Sequence, residues 1–324
     1  MRGRPTNMPS TCQATVFYDE VGEASARLYA LAAPTIDDRL LTVDELAQCR
    51  FDCRVEGPTC RYSTTLQSRI TLKHRGVTTW GDIPAVMAEG ILPDPCPWSS
   101  ELPFLYRVIG TVRIGERSVA EINQTFGIRP LSTVLNRFVL NGKKWVPRII
   151  QRSLVTPGVS IAEWRDAAAT MYIVGDKPDV FAEASEFGVP VMVMVPWGGG
   201  SPTAALNLLR DTSRYPAVVL AELETDRSVP DKFVSAARNT LLLRWGTKFW
   251  PWEDSEDQQV DRAHGLVFVP DVPPAELPSI WKSGKPAIAF QQPPKQFTLA
   301  DARAECDTLQ RNLAGTCDPA GYMV

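Results

Sequence analysis

The sequence predicts a chain of two domains, a β-sandwich followed by a closed barrel of eight parallel strands. A length of 324 residues is too long for one ordinary domain and suits two. Up to about residue 130 the chain shows short runs with β-type alternation, such as Leu66–Lys73 and Phe104–Ile114. From Lys144 onward, apolar strand-like runs alternate with helical patterns.

The first predicted domain covers residues 1–130. Short β-type runs that are separated by Gly and Pro are typical of a β-sandwich. The pattern of the first forty residues is ambiguous, so this stretch is not assigned to any element.

The second predicted domain covers residues 131–324. Its predicted strands are Trp145–Gln151, Ala169–Val174, Val189–Pro196, Ala217–Thr225, Thr240–Trp245, Gly265–Val269, Lys285–Phe290 and Ala320–Val324. Helix starts are indicated by capping boxes at Ser160 and Thr298 and by Ser201 followed by a proline. Eight strands with helical crossovers favour a closed barrel. An open nucleotide-binding sheet is not favoured, because the glycine run 198–200 lacks the G-x-G-x-x-G spacing.

Composition and charge exclude several classes of protein. With 44% hydrophobic and 22% charged residues, the chain has enough apolar material for folded cores. A net charge of −3 argues against a nucleic-acid partner. The longest apolar stretch, Val189–Pro196, is too short to cross a membrane. Residues 1–15 contain no apolar run of a secretory signal, which predicts a cytoplasmic location unless the chain was trimmed.

Cysteine and histidine usage predicts neither a metal nor a cofactor. Cys49, Cys53 and Cys60 form only one cluster, whereas zinc sites usually pair two close sets. Disulfides and buried thiols both stay open for the seven cysteines. With His74 and His264 as the two histidines, Ser-His or Cys-His catalysis has little support.

Three stretches resemble motifs of family 2 glycoside hydrolases, which include β-galactosidases, β-glucuronidases and β-mannosidases. Pro97–Tyr106 (PWSSELPFLY) resembles the LWSPxxPxLY segment of that family, Phe126–Arg129 (FGIR) resembles FGxR, and Phe138–Lys143 (FVLNGK) resembles FxLNGK. Their order and spacing also match. The resemblance implies an immunoglobulin-like sandwich followed by a compact (β/α)₈ TIM barrel.

Weaker similarities extend the resemblance over roughly residues 90 to 324. They lie at Pro147–Arg152, Phe181–Gly188, Arg210-Asp211, Tyr215-Pro216, Lys285-Pro286 and Gly321-Tyr322. The sugar-binding jelly roll that usually precedes the sandwich in this family is not recognised in the sequence.

The resemblance also implies where the catalytic carboxyl groups of a retaining glycosidase belong. One carboxyl group protonates the leaving oxygen and the other attacks the anomeric carbon, from about 5–5.5 Å apart. The position of the acid/base on the fourth strand is occupied by Asp226, after Thr225 at the usual Asn position. The position of the nucleophile on the seventh strand is occupied by Gln291. An amide is a poor nucleophile and carries no charge, so the resemblance predicts an impaired site.

Other acidic residues share one face of the fourth strand. Alternation places Glu222 and Glu224 on the same face as Asp226. On the same reasoning we expect Arg148 and Arg244 to point into the barrel. A structural ion network of Arg148, Glu222 and Arg244 is one interpretation, and a relocated acid pair that uses Glu224 or Asp226 is the other.

The fifth strand is predicted to turn Leu241, Leu243 and Trp245 outward, toward the helices. Aromatic residues also follow the third and fifth strands on loops at the expected catalytic end: Trp197, Trp250 and Trp252. These three, with Asp271 after the sixth strand, are candidate carbohydrate-binding residues. Ordinary packing across the barrel end is the alternative for the aromatic residues.

Three hypotheses of function follow. The first is a catalytically impaired relative of family 2 glycosidases that binds a carbohydrate. The second is a working glycoside hydrolase with shifted carboxylates, such as Glu224 or Asp226 with Asp271. The third is a structural or interaction module. The sequence does not predict an oligomeric state.

Overall fold

The computed structural model describes residues 12–197, 201–225, 228–245, 261–270, 283–292 and 297–324. Two compact units are formed. The first comprises the described part of Met1–Pro58 with Thr65–Pro95 and Tyr106–Phe126, and the second comprises Thr59–Thr64, Cys96–Leu105 and the described part of Gly127–Val324. The predicted domain boundary at residue 130 stays a prediction.

The first unit is built on antiparallel strands. They are β1 (Cys12–Asp19), β2 (Ser25–Ile36), β3 (Arg39–Leu40), β4 (Cys49–Thr59), β5 (Ser68–Trp80), β6 (Ile83–Pro93), β7 (Leu105–Ile114) and β8 (Arg117–Phe126). Helix α1 (Val43–Ala47) begins at a capping box, in which the side chains of Thr42 and Glu45 accept from each other's backbone N–H groups.

Strand β5 turns this sheet into a sandwich-like structure. The sheet runs in the order β1-β2-β6-β5-β4-β7-β8, with β3 paired to β2. Residues 68–72 of β5 pair with β4, whereas residues 73–80 pair with β6 after an irregularity at His74 and Gly76. A bulge bends and twists a strand, so one long strand can belong to two layers. Alternate side chains fill the interior of this unit, among them Val16, Leu28, Val55, Val108 and Ile122.

The second unit contains a small sheet and a closed parallel barrel. The small sheet is antiparallel, with β9 (Leu131–Val134), β10 (Arg137–Leu140) and β11 (Lys143–Trp145). The barrel strands are β12 (Arg148–Gln151), β13 (Thr170–Val174), β14 (Val191–Pro196), β15 (Val218–Glu224), β16 (Leu241–Trp245), β17 (Gly265–Phe268), β18 (Ala287–Phe290) and β19 (Gly321–Met323). Pairing of β12 with β19 closes the barrel. Each of the eight predicted strands contains one of these barrel strands, so the predicted barrel is confirmed at this level.

Among the described residues, helices follow five of the eight barrel strands. They are α2 (Ile161–Asp166), α3 (Pro178–Phe187), α4 (Pro202–Ser213), α5 (Asp231–Ala237) and α6 (Leu299–Leu313), with a 3₁₀ turn at Arg152–Leu154. The capping box predicted at Ser160 is formed with Glu163. Thr298 caps α6 by accepting from Asp301 N, and Ser201 stands at the N-cap of α4 without a side-chain cap.

Two further observations concern the described part of the chain. No helix there is long and apolar enough to cross a membrane. All seven cysteines lie within it, and none of them forms a disulfide bond. Burial raises the pKa of Cys53 and of Cys306 to about 12, so these two thiols are poor nucleophiles.

The segments that resemble family motifs meet at the amino-terminal end of the barrel strands. Trp98 N donates to Ile128 O at 2.6 Å, and Asn141 Nδ2 donates to Trp98 O at 2.9 Å. The indole Nε1 of Trp98 donates to Ser185 O near the end of α3, also at 2.9 Å. Gly188 then ends α3 with φ 77°, and a Cβ there would lie 2.6 Å from Ser100 O. Glycine is therefore required at 188 both by conformation and by space.

Arg129, the last residue of the FGIR segment, binds the starts of two barrel strands. Its side chain is 1% exposed. The guanidinium group donates to Pro216 O, to Val218 O at 2.6 Å and to Asn239 O at 2.9 Å. Several main-chain carbonyls that precede or begin β15 and β16 are thereby satisfied by one planar fork of donors, a geometry that lysine does not offer.

We predict that Arg129→Lys lowers the free energy of unfolding by about 3 kcal/mol, because at least two charge-assisted hydrogen bonds to buried carbonyl groups are lost. Urea denaturation followed by circular dichroism measures this change. The matched control is Arg113→Lys at an exposed position of β7, where we expect a change within about 0.5 kcal/mol. Equal stability of the two variants would contradict the role of Arg129.

Candidate functional site

The register of the parallel strands decides which side chains point into the barrel, because paired residues on neighbouring strands project from the same face. Glu222 is paired with Met194 on β14 and with Leu243 on β16. Trp245 follows Leu243 by two residues and therefore shares the face of Glu222. Tyr172 reaches Glu222 from β13, although β14 lies between their strands. Side chains of strands that are not neighbours can touch each other in this way across the barrel interior. The face that carries Tyr172, Glu222 and Trp245 is therefore the inner one.

Glu222 is the buried carboxyl group of this site. Its side chain is 1% exposed, and Oε1 accepts a hydrogen bond from the indole Nε1 of Trp245. The hydroxyl of Tyr172 lies within reach of the carboxyl group, whereas Oε2 completes no hydrogen bond among the described residues. The ring of Trp245 meets Phe290 of β18 edge-on, with centroids 5.4 Å apart and planes at 90°. Four inward side chains thus form a connected cluster near the carboxyl ends of the strands.

The environment of Glu222 favours its neutral form. Burial raises the pKa of Glu222 to about 7, and the neighbouring carboxylate of Glu224 acts in the same direction. Hydrogen bonding to Tyr172 and Trp245 lowers that pKa and offsets part of the effect. Burial also raises the pKa of the Tyr172 hydroxyl, with Glu222 and Glu224 as further causes.

Glu224 is the last residue of β15, and Thr225 follows it. Glu224 is exposed and shares the inner face with Glu222, two residues earlier. Thr225 is buried, and its N–H donates to Leu223 O at 2.7 Å. The strand therefore presents one buried and one exposed carboxyl group.

The ion network predicted for Arg148, Glu222 and Arg244 is wrong. Arg148 Nε binds Asp307 of α6 at 3.1 Å, and Arg244 Nε binds Asp261 at 2.9 Å. Both arginines lie on the outer face. Arg244 stands between Leu243 and Trp245, which point inward. Arg148 is paired with Tyr322 and lies over its ring. The prediction that Leu243 and Trp245 point outward is wrong for the same reason.

The end of β18 carries amides. Gln291 is exposed, and its N–H donates to Met323 O at 3.0 Å, which continues the ladder beyond Phe290. Since Phe290 points inward, alternation places Gln292 on the inner side and Gln291 on the outer one. A shift of one residue in the alignment would therefore still give a glutamine.

The structure describes only part of the predicted binding set. Asp226, Trp250, Trp252 and Asp271 lie outside the described residues. Trp197 is partly buried, and its ring lies 4.4 Å from that of Phe233 on α5. This contact agrees with ordinary packing of Trp197, the alternative to its role in carbohydrate binding.

Sequence reasoning missed Tyr172, Trp245 and Phe290 as members of the site. Trp245 could have been found if the inner face of the fifth strand had been set by pairing with Glu222. Nothing in the local sequence singles out Tyr172 or Phe290, because an aromatic residue in an apolar strand looks like core.

A cavity of about 510 Å³ lies at the opposite, amino-terminal end of the barrel. Its lining includes Trp145, Arg148, Arg165 and Arg303. The guanidinium of Arg165 donates to Ser100 O at 3.2 Å, and Arg148 is bound to Asp307. These arginines serve local structure, and the cavity is separate from the cluster around Glu222.

The described residues hold no group of three or more His, Cys, Asp and Glu side chains that could bind a metal ion. His264 is used structurally, since its Nδ1 accepts from Leu242 N at 3.0 Å. Burial lowers the pKa of His264.

No protein-family model and no curated protein matches this sequence. Solved structures do match it. A β-glucuronidase of Bacteroides uniformis superposes with a TM-score of 0.56 at 12% identity, over 96% of this chain and 45% of that one. A glycosyl hydrolase family 2 member of Bacteroides cellulosilyticus gives 0.58 at 11% identity, over 96% and 43%. A putative β-galactosidase of Bacteroides fragilis gives 0.56 at 12% identity, over 96% and 54%.

These matches show that the chain has the fold found in family 2 β-glycosidases. The chain spans about half the length of these solved structures. At this level of identity, the likeness concerns the fold and not the activity.

We predict that stability depends on pH through Glu222. The folded protein keeps the Glu222 proton up to about pH 7, whereas the unfolded chain loses it near the ordinary value of 4.5. The free energy of unfolding should therefore fall as pH rises through this window, by about 3 kcal/mol in total relative to Glu222→Gln. Urea denaturation between pH 4 and pH 8 measures the difference. Glu116→Gln, in an exposed turn, is the control that should parallel the wild type. Parallel curves for wild type and Glu222→Gln would contradict the assignment.

Proposed function

We propose that this chain is a family 2 glycoside hydrolase-like protein, an immunoglobulin-like sandwich with a (β/α)₈ TIM barrel, that binds a carbohydrate at the barrel mouth without hydrolysing it. The closed parallel barrel and its likeness to solved β-glycosidases support the family assignment. Helices after five of the eight strands support the barrel type. The Glu222 cluster lies at the carboxyl ends of the strands, where barrels of this type carry their sites.

The observation that carries this proposal is the pair of amides at the end of β18. A retaining glycosidase needs a carboxylate there, as nucleophile and as the charge that stabilises the transition state. Gln291 and Gln292 supply neither, and Phe290 fills the inner position before them. The proposal therefore holds for either alignment of the strand end.

The carboxyl groups of β15 do not replace the missing pair. Hydrolysis needs two groups that flank the glycosidic bond. Glu222 and Glu224 project from the same face of one strand, with Cα atoms about 6.6 Å apart along it. Glu222 is also buried and bound to Trp245, so it does not face a ligand. This arrangement argues against Glu222 and Glu224 as a catalytic pair, whereas the pair of Glu224 or Asp226 with Asp271 includes residues outside the described ranges and stays an alternative.

Binding is supported by the side chains that remain accessible at the mouth. Trp245 and Phe290 are partly exposed, and Glu224 is exposed beside them. A flat aromatic ring suits the C–H face of a sugar, and a carboxylate accepts hydrogen bonds from its hydroxyl groups. The chemistry of the site therefore fits a neutral saccharide better than an anionic one.

The first test is hydrolysis of p-nitrophenyl β-galactoside, β-glucuronide and β-mannoside. We expect no release of p-nitrophenol above the rate without protein. Release that is lost in Asp226→Ala would overturn the proposal in favour of an active hydrolase.

The second test is binding, measured by titration calorimetry with methyl β-galactoside and methyl β-mannoside. We expect Trp245→Ala to weaken binding about tenfold, through loss of aromatic stacking worth about 1.4 kcal/mol. Leu135→Ala, at a residue 82% exposed in the turn before β10, is the control that keeps wild-type affinity. Absence of binding to either glycoside by the wild type would overturn the carbohydrate-binding role.

A further inference from the structure

Glu222 is buried without a charge of opposite sign. Among the described residues, its neighbours include Tyr172 (β13), Met194 (β14), Glu224 (β15) and Trp245 (β16), and Phe290 (β18) packs against Trp245. Only Tyr172 and Glu224 among them can ionise, and both are acids. No lysine or arginine of the described residues forms an ion pair with Glu222. A buried carboxylate in such surroundings is costly, because desolvation is not offset by an ion pair.

The hydrogen bonds can hold the carboxyl group in either protonation state. One oxygen accepts from Trp245, which a neutral carbonyl oxygen does as well. The other oxygen, Oε2, completes no bond in the described residues, although the Tyr172 hydroxyl lies within reach of the carboxyl group and, as a donor, lowers its pKa. As an O–H group, Oε2 can instead donate to the hydroxyl oxygen of Tyr172, which lies within reach.

The hydrogen bond to Glu222 restrains the orientation of Trp245. The indole ring has two constraints, the hydrogen bond from its Nε1 to Glu222 and the edge contact with Phe290 at 90°. An aromatic ring held in place loses little conformational freedom when a ligand stacks on it. Glu222 itself is too buried to contact that ligand, so its effect is exerted through Trp245.

We infer that Glu222 is a positioning residue that holds Trp245 across the barrel mouth for stacking against a sugar ring. The saccharide part of this inference rests on the proposed function, whereas the coupling of Glu222 to Trp245 does not. Ionisation of Glu222 replaces a neutral oxygen acceptor with a carboxylate, which accepts the indole N–H more strongly, so the environment of the Trp245 N–H changes when Glu222 titrates. With a pKa of Glu222 of about 7, this change falls between pH 6 and pH 8.

The experiment follows the indole N–H resonance of Trp245 by ¹⁵N NMR from pH 6 to pH 8, identified as the signal that Trp245→Phe removes. In the wild type we expect the resonance to titrate with a midpoint near 7, and in Glu222→Gln we expect it to stay constant, because the amide oxygen still accepts from the indole but does not ionise. The exposed control Glu116→Gln should titrate like the wild type.

The same samples are titrated with methyl β-galactoside and methyl β-mannoside. Since an amide oxygen accepts from the indole as a carboxyl oxygen does, we expect Glu222→Gln to keep the wild-type affinity within about threefold at pH 6 and at pH 8. Glu222→Leu, which offers no acceptor, should bind weakly at both pH values. Rescue by glutamine and not by leucine separates positioning from a general packing role.

Each outcome separates the inference from the proposed function. A resonance that does not titrate, or that titrates equally in Glu222→Gln, overturns the inference even if a glycoside binds. Unchanged affinity in a folded Glu222→Leu variant also overturns it. A titrating resonance without any glycoside binding overturns the proposed function and supports the coupling of Glu222 to Trp245.

Discussion

The barrel depends on the buried guanidinium group of Arg129. Buried main-chain carbonyl groups need hydrogen-bond donors, also where the strands of a barrel begin. Arg129 supplies donors to Pro216 O, Val218 O and Asn239 O at once. The position of β15 and β16 is thereby fixed at their starts, and through the regular rise of the strands it is fixed at their ends as well. Glu222 and Trp245 of the candidate site lie on these two strands, so their relative positions depend on how the strands are placed.

The second constraint is the register between neighbouring barrel strands, because it decides which residues of each strand point into the barrel and which point outward. Glu222 is paired with Leu243, so Trp245 and not Arg244 turns inward. The consequence is an interior that binds a carboxyl group through an indole and a phenol. On the outer face, Arg148 pairs with Asp307 and Arg244 pairs with Asp261. A slip of one residue would exchange these environments, and the acid would then be paired with a cation and ionised.

The segments that resemble family 2 glycosidases and the positions that differ from them lie at opposite ends of the barrel. Trp98, Arg129, Asn141 and Gly188 act at the amino-terminal end, where they hold main-chain groups and close contacts. The glutamines after β18 lie at the carboxyl end. Stability and chemistry are thus carried by different residues, as is usual for barrels of this type. Side chains at the carboxyl end can change while the fold is kept.

The sequence by itself determined the eight barrel strands, the capping box at Ser160 and the amides after β18, because each is expressed in local periodicity or in residue identity. Tertiary structure alone decided that Trp245 faces Glu222, that Arg148 and Arg244 face outward, and that Tyr172 and Phe290 join the site. These choices depend on how strands far apart in sequence are paired and on contacts across the barrel interior. Alternation within one strand defines two faces, but only the neighbouring strand and the closure of the barrel decide which of them is inside.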